Sequence, residues 1–149
     1  MKKSERLEPI KEIAANHERD AAHALGQSQA TLNEHEMKLQ QLKEYRAEYA
    51  RLFQEHGNRG MDGSQLQAYQ TFISQIDLAI EQQRHMIEHA NIDRNDKRDE
   101  WQTRHSRTQA LDKTVQKFRQ TEQTQENKRE QREQDDNNNA RFWLSRRKV

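Results

Sequence analysis

A cluster of glycines divides this sequence into two long polar segments, each of which carries a helical repeat of apolar residues. Gly57, Gly60 and Gly63 account for all but one of the four glycines in the chain. Glycine readily adopts the conformations that end a helix, so such a cluster predicts the turn of a helical hairpin. We expect Gly57 to end the first helix in the left-handed conformation. Ser64 and Gln67 are expected to form a capping box at the start of the second helix.

The segment before the glycines carries a seam of residues spaced alternately three and four apart. This spacing places the seam on one helix face and is typical of a coiled coil. The repeat predicts a first helix over residues 7–56, which begins near Pro9 because proline is tolerated in a first turn. Its seam residues are Leu25, Ser28, Leu32, His35, Leu39, Leu42, Arg46, Tyr49 and Phe53.

The segment after the glycines continues the alternation without a glycine or a proline. We predict an elbow loop over 57–63 and a second helix over 64–134, unpaired beyond about residue 119. The aspartates and asparagines of 135–139 predict the end of this helix, because their side chains compete for backbone hydrogen bonds. We expect 135–149 to be a flexible tail that carries aromatic and basic residues. The seam residues are Leu66, Tyr69, Ile73, Ile76, Ile80, Gln83, Ile87, Ala90, Arg94, Lys97, Trp101, Arg104, Thr108, Leu111, Val115 and Phe118.

The two segments together predict an all-α fold, a long antiparallel coiled-coil hairpin of two helices in a single domain, 1–149. A register in which paired residue numbers sum to about 122 matches the two seams. It places Tyr49 opposite Ile73 and Ala21 opposite Trp101. Seam residues near the elbow are mostly large and apolar, whereas polar residues interrupt the seam further away. We therefore expect the distal half to be held less firmly.

The composition argues against most other classes of protein. Only 30% of the residues are hydrophobic, compared with roughly 45–50% in an ordinary globular domain, so no catalytic pocket is expected. The 26 basic and 25 acidic side chains nearly cancel, which disfavours binding to nucleic acid or directly to a membrane. The chain contains no cysteine, and no apolar stretch follows its charged beginning. These features predict a cytoplasmic protein without disulfides or a signal peptide.

One group of residues has the spacing of a metal site. His85 and His89 lie one helical turn apart, with Glu81 and Glu88 nearby, and two such histidines can bind zinc. The spacing supplies no certain third ligand, and the motif of zinc proteases is absent. We interpret these residues as a solvated helix face, and we predict no catalytic residue, no cofactor and no metal.

Apolar residues that lie beside the seams indicate a docking surface near the elbow. Tyr45 and Leu52 lie beside the first seam, whereas Phe72, Ala79 and Met86 lie beside the second. Two helices cover only their own seam, so these side chains are expected to stay at least partly exposed. Docking to another protein is the leading interpretation. Self-association and shielding of a wide seam are the alternatives.

A set of short motifs lies on both sides of the elbow and near the start of the chain. These motifs are Leu42-x2-Tyr45-x3-Tyr49, Tyr69-Gln70-x-Phe72-Ile73, Ala79-Ile80, Asp20-Ala21-Ala22 and Leu25-Gly26. In these motifs the chain resembles the FliJ family, coiled-coil components of the bacterial flagellar type III export apparatus. The resemblance extends over the whole chain in length and layout. Lys38 and Gln83 depart from the family pattern, where glutamine and histidine are familiar.

This resemblance implies a non-enzymatic cytoplasmic stalk, similar to the gamma subunit of rotary ATPases and peripheral at the cytoplasmic face of the inner membrane. The paired termini would enter the pore of the hexameric export ATPase FliI and promote assembly of its ring. The elbow surface would bind the linker of the export-gate protein FlhA, through which any contact with the membrane is indirect, and the protein would escort export chaperones. The stalk of a virulence type III secretion system and a self-associating scaffold are the alternatives. The resemblance assigns gate binding to Leu42, Tyr45, Tyr49, Phe72, Ile76 and Ala79.

The proposed register can be tested with engineered cysteines. Ala21→Cys combined with Trp101→Cys should crosslink readily, because disulfides form only between residues whose backbones are close. Crosslinking is measured by gel mobility under oxidising conditions. Preferential crosslinking of Ala21→Cys with Lys97→Cys, one turn away, would show that the register is wrong.

Overall fold

The computed structural model describes residues 1–147. These residues form two α-helices, α1 (Lys3–Asn58) and α2 (Gly63–Arg147), with a short connection between them. No strand occurs in the described part of the chain. The predicted all-α class is confirmed, because two long helices pack against one another as a helical hairpin.

The chain divides into two compact units, and each contains part of α1 and part of α2. The unit with the elbow is Arg19–Gln102, which we call the elbow unit. The distal unit consists of Met1–Glu18 and the chain from Thr103 onward. The sequence predicted a single domain over 1–149, and that assignment stays a prediction.

Several polar contacts between the helices follow the expected register within each unit, whereas Gln83–His35 and Ser4–Glu122 lie about one turn from it. Four polar pairs lie within one residue of the predicted sum, so these contacts agree with the alignment drawn from the apolar repeat. These pairs are Lys11–Asp112 and Glu18–His105 in the distal unit, and Ser28–Asp93 and Arg46–Asp77 in the elbow unit.

The apolar core of each unit is thin. Buried apolar residues in the elbow unit are Ala21, Leu32, Ile76 and Ile80, whereas Val115 is fully buried in the distal unit. A fully buried valine, leucine or isoleucine contributes roughly 1.5–3 kcal/mol relative to an exposed one. Because so few apolar residues are buried, the polar groups in the seam must also have bonding partners on the other helix.

Two polar residues of the elbow unit are buried in the seam, and both have hydrogen-bond partners. The Ser28 hydroxyl donates to the Asp93 carboxylate at 2.7 Å. Gln83 donates from Nε2 to the carbonyl oxygen of His35 at 3.0 Å, one turn away from its expected neighbour Leu39. In the described chain no buried side-chain nitrogen or oxygen lacks a partner. Each residue therefore specifies a register without the cost of an unpaired polar group.

The elbow turns at a different glycine from the predicted one. α1 continues past Gly57 and ends at Asn58, and Gly60 has a φ of 94°. The amide of Gly60 donates to the carbonyl of Gly57 at 3.2 Å, which closes the turn. The sequence could not choose between these glycines, because either satisfies the requirement for a residue without a Cβ atom.

The cap of α2 also lies two residues before the predicted position. The amide of Gln65 donates to Asp62 Oδ1 at 2.8 Å, and the amide of Asp62 donates to Gln65 Oε1 at 3.2 Å. This reciprocal pattern is a capping box, in which aspartate replaces the more usual serine or threonine. Ser64 and Gln67 have the right spacing, but they already lie inside α2.

The second helix extends further than the sequence predicted. α2 continues through the aspartates and asparagines of 135–139 to Arg147, so the predicted end at residue 134 is wrong. These residues each cost less than about 1 kcal/mol in a helix, and no glycine or proline accompanies them. Arg129 pairs with Glu126 and Glu133 on the preceding turns. The flexibility predicted for 135–149 stays a prediction, and residues 148 and 149 lie outside the described residues.

Pairing between the helices also extends beyond residue 119, where the sequence expected α2 to continue alone. The carboxylate of Glu122 accepts hydrogen bonds from the Ser4 hydroxyl at 2.6 Å and the Ser4 amide at 3.2 Å. These bonds hold the pKa of Glu122 below its ordinary value of 4.5. The carboxylate caps the first turn of α1, where the helix dipole favours a negative charge. The sequence missed this pair because it placed the start of α1 at residue 7.

A second carboxylate in the distal unit accepts a bond across the helices. Glu18 lies 2.5 Å from Nδ1 of His105, and its side chain is 21% exposed. The hydrogen bond from His105 holds the pKa of Glu18 below its ordinary value of 4.5, with a smaller contribution in the same direction from the Thr108 hydroxyl. The sequence placed Arg104 opposite Glu18, one residue from the observed partner.

The observed cap predicts which of two substitutions destabilises the hairpin. Asp62→Ala should lower the free energy of unfolding by about 1 kcal/mol, because it removes an N-cap side chain. Ser64→Ala should change it by less than about 0.5 kcal/mol, as expected for a surface substitution inside a helix. Urea unfolding followed by circular dichroism measures both. A larger loss for Ser64→Ala would place the cap at the position drawn from the sequence.

The lowered pKa of Glu18 predicts a pH-dependent contribution to stability. A carboxylate whose pKa is lower when folded stabilises the protein above its unfolded pKa, and this contribution disappears as the pH falls through the folded pKa. Glu18→Gln should therefore be less stable than the native chain at pH 7, and the difference should shrink below pH 4.5. Unfolding curves between pH 7 and pH 3 measure this difference. Glu12→Gln, at an exposed position on the same helix, is the control substitution. A difference for Glu18→Gln that stays constant down to pH 3 would contradict the prediction.

Candidate docking surface near the elbow

Aromatic side chains from both helices meet beside the elbow. Tyr45, Tyr49 and Phe53 follow one another at intervals of four residues on α1, so they lie on one helix face. Tyr69 and Phe72 are three residues apart on α2 and face them. We call these residues the aromatic cluster. It lies entirely within the elbow unit.

The rings of the aromatic cluster form a continuous chain of contacts across the two helices. Phe53 stacks on Tyr69 with 3.5 Å between ring centroids, and Tyr69 stacks on Tyr49 at 5.4 Å. Tyr49 also packs against Phe72 at 4.3 Å, and Phe72 meets Tyr45 edge to face at 6.0 Å. Each aromatic pair contributes roughly 0.5–1.5 kcal/mol beyond its buried area. The cluster therefore stabilises the hairpin next to its turn.

The outer side of the cluster is open to solvent. Tyr45 is 52% exposed although its ring contacts Phe72. Leu52 is 39% exposed and Met86 is 52% exposed, which agrees with the exposure expected for apolar residues beside the seams. A partly exposed tyrosine that is already held by a neighbouring ring loses little side-chain entropy when it binds a partner. Tyr45 therefore has the properties of a binding residue.

The six residues assigned to gate binding differ in how much surface they present. Tyr45 presents the most, whereas Ile76 is only 6% exposed and belongs to the core. Ile76 supports the surface from beneath, because it packs in the seam between the helices. Direct contact between these residues and a partner stays a prediction. Four of the six are half-buried: Leu42, Tyr49, Phe72 and Ala79.

An ion pair joins the helices beside the aromatic cluster. Arg46 donates from Nε to Asp77 Oδ1 at 2.5 Å and from Nη2 to Oδ2 at 3.3 Å. The hydrogen bond from Arg46 holds the pKa of Asp77 below its ordinary value of 3.8. The same bond raises the pKa of Arg46. Both side chains are well exposed, so water screens the pair, and its main effect is on geometry.

The sequence carries a signal for this ion pair that the apolar repeat alone does not reveal. Arg46 was placed in the first seam, where a charged residue needs a partner on the other helix. The expected register brings Asp77 within one residue of the position opposite Arg46. A search for acidic residues at that position would have identified the pair.

An open groove lies beside the cluster on the side of the elbow. Its volume is about 370 Å³, and its lining includes Tyr49, Phe53, Tyr69, Leu52 and Met61. Aromatic and aliphatic walls of this kind suit an apolar side chain from a partner. The sequence did not predict the groove, because its wall at Met61 depends on the path of the connecting loop.

The histidine pair considered as a metal clip lies on the exposed surface of α2. The ring nitrogens of His85 lie 3.6 Å from carboxylate oxygens of Glu81 and Glu88. These are ordinary contacts between side chains three and four residues apart on a helix. Among residues 1–147, no group of three or more potential ligands is placed to hold a metal ion.

Comparison with known proteins identifies one family. A family model described as "Flagellar FliJ protein" matches residues 2–147, nearly the whole chain. This match confirms the resemblance that was recognised in the motifs around the elbow. Comparison with curated proteins and with solved structures gives no match. In the described part of the chain, neither helix has a stretch apolar enough to cross a bilayer.

The geometry of the cluster predicts that substituting its two tyrosines on α1 lowers the free energy of unfolding by different amounts. Tyr49→Ala should lower the free energy of unfolding by about 2 kcal/mol, because the ring contacts both Tyr69 and Phe72. Tyr45→Ala should cost less than about 1 kcal/mol, because half of its surface is already exposed. Urea unfolding measures both values. Equal losses of stability would contradict the interpretation that Tyr49 packs between the helices whereas Tyr45 is exposed to solvent.

Proposed function

We propose a function that starts from one premise: the chain belongs to the FliJ family of flagellar proteins. It is therefore a component of the flagellar type III export apparatus. We propose that it acts there as a non-enzymatic stalk that connects the export ATPase FliI to the export gate. In this proposal the elbow unit binds the linker of FlhA, and the distal unit enters the pore of the FliI hexamer.

The exposed edge of the aromatic cluster supports the proposal that the elbow unit binds the linker of FlhA. Tyr45 presents an apolar ring on a helical scaffold, and Phe72 and Tyr49 hold it from behind. Aromatic residues in such positions supply much of the energy of protein–protein binding. The neighbouring groove at Leu52 and Met61 offers a second contact for an extended linker segment. These features favour binding to a partner over a purely structural role for Tyr45.

The polar character of the distal unit supports the proposal that this unit enters the pore of the FliI hexamer. Its helices are joined by charged and hydroxyl groups, including Lys11–Asp112 at 2.7 Å and Ser4–Glu122 at 2.6 Å. The buried apolar residues of this unit are only Ala14 and Val115 among those described. A hairpin with a thin core gains stability from a surrounding ring, because binding to the folded form alone shifts the unfolding equilibrium. This supports a site for the distal unit inside the ATPase ring.

The remaining parts of the proposal follow from the family. We propose that the chain acts at the cytoplasmic face of the inner membrane and escorts export chaperones. The described surface does not identify a separate site for a chaperone. The exposed edge of the aromatic cluster is the first place to look for one, because it combines apolar area with a fixed geometry.

Binding to the gate is tested with substitutions at the exposed edge of the aromatic cluster and at the ring that supports it. Tyr45→Ala with Phe72→Ala should reduce capture of the FlhA cytoplasmic region, including its linker, by at least tenfold, as expected when binding residues at the centre of an interface are truncated. Capture of FliI by the same variant should be unchanged. Isothermal titration or a pull-down measures both partners. Circular dichroism confirms that the variant is folded.

A matched substitution controls for the loss of apolar surface. Ile92 is 60% exposed in the same unit but lies outside the docking surface. Ile92→Ala should leave FlhA binding within about twofold of the native value, as for a residue with no role in the interface. Full gate binding by the Tyr45→Ala/Phe72→Ala variant would remove the elbow surface from the mechanism.

Insertion into the ATPase ring is tested by truncation. Removal of residues 1–14 and 120–149 should abolish stimulation of FliI ring assembly, because the truncated chain lacks most of the distal unit. Ring assembly is measured by electron microscopy and by ATP hydrolysis. Gate binding should persist in the same chain, since the elbow unit is retained. Unchanged stimulation of the ATPase would contradict this part of the proposal.

A further inference from the structure

Three large apolar side chains are exposed together near the end of α2. Phe142 is 53% exposed, Trp143 is 63% exposed and Leu144 is 59% exposed. The preceding stretch, 123–139, contains no apolar residue. These side chains are therefore separate from the seam that holds the helices together.

Basic residues surround these apolar side chains. Residues 140–149 contain four basic side chains and no acidic one, although the whole chain has a net charge of only +1. Arg146 lies over the ring of Phe142 at 4.9 Å, and Arg147 follows it. The overall charge balance thus conceals a local concentration of positive charge. We call residues 141–147 the aromatic–basic segment.

The composition of the segment favours a lipid surface. Phe142, Trp143 and Leu144 are consecutive, so they spread over about 200° of the helix circumference. Helices that bind a protein groove and helices that lie in a lipid interface both usually present one apolar face, so the occupant is decided by charge. Aromatic residues mixed with arginines, without acidic residues, are typical of the boundary between lipid headgroups and acyl chains.

We propose that the aromatic–basic segment binds the surface of a bilayer that contains anionic lipids. Phe142, Trp143 and Leu144 enter the headgroup region, while the arginines extend their charged ends to the lipid phosphates. The acidic residues at 133, 135 and 136 are repelled by the same surface and keep the preceding turns of α2 in water. Binding is peripheral and reversible, because so few residues enter the lipid.

This inference can be tested apart from the proposed stalk function. The aromatic–basic segment lies in the distal unit, so the proposal applies to the chain when that unit is outside the ATPase ring, and it requires neither FlhA nor FliI. A vesicle experiment with the purified full chain therefore tests it alone. Loss of lipid binding leaves the FlhA-binding experiment unaffected, because the elbow unit does not contain the segment.

Flotation with vesicles tests the proposal. The full chain should float with vesicles of phosphatidylcholine and phosphatidylglycerol, and at least tenfold less with phosphatidylcholine alone. Higher salt should weaken binding, since the attraction of cations to the surface is screened. Tryptophan fluorescence, to which both Trp101 and Trp143 contribute, should shift to shorter wavelength on binding in the native chain, and Trp101→Phe assigns the shift to Trp143. Equal binding to both vesicle types, or no binding to either, would overturn the proposal.

Two variants separate the contributions of charge and apolar surface. Arg146→Gln with Arg147→Gln should weaken binding about 25-fold, because each basic residue near an anionic surface contributes roughly fivefold. Phe142→Ala with Trp143→Ala should weaken it at least tenfold. Circular dichroism establishes that both variants retain their helices.

Matched controls remove the same kinds of group elsewhere in the distal unit. Arg129→Gln with Arg132→Gln removes two positive charges from α2, and Ile10→Ala with Ile13→Ala removes exposed apolar surface from α1. Both should bind anionic vesicles within about twofold of the native chain. Equal losses in the controls would show non-specific attraction and contradict the proposal. Capture of an acidic protein by the segment without any flotation would assign it to a protein partner instead.

Discussion

The packing of one narrow apolar seam between two helices is the constraint on which the structure depends. A seam of this width buries few side chains, so the hairpin also relies on hydrogen bonds placed across it. Gln83 bonded to His35 in the elbow unit and Glu122 bonded to Ser4 in the distal unit show how this is done. Such bonds tolerate little displacement along the helices, which fixes the register and thereby the position of every residue on the surface.

The aromatic cluster connects this packing to function. Tyr49 stabilises the seam through its contacts with Tyr69 and Phe72, whereas Tyr45 uses the same neighbour to present a ring to solvent. One set of contacts therefore both closes the hairpin and orders the proposed docking surface. The distal unit has few buried apolar residues and is joined mainly by polar pairs. In the proposed function, the elbow unit recognises one partner and the distal unit is surrounded by another.

A local cluster of charge indicates binding properties that the net charge of the whole chain does not reveal. A net charge of +1 gave no reason to expect binding to a membrane, yet the segment around Trp143 contains only basic and apolar residues apart from Ser145. Electrostatic attraction depends on charges within about a Debye length, roughly 8–10 Å, rather than on the whole chain. Local and global charge can therefore point to different partners.

The sequence by itself determined the helical class, the two seams, the approximate register and the family, because each depends on residue spacing along one chain. It also identified the residues exposed beside the seams. Only the tertiary structure decided that Gly60 rather than Gly57 turns the chain and that Asp62 rather than Ser64 caps α2. It alone paired Glu122 with Ser4. Several residues satisfied each local rule equally well, and the choice among them depended on contacts between residues far apart in the chain.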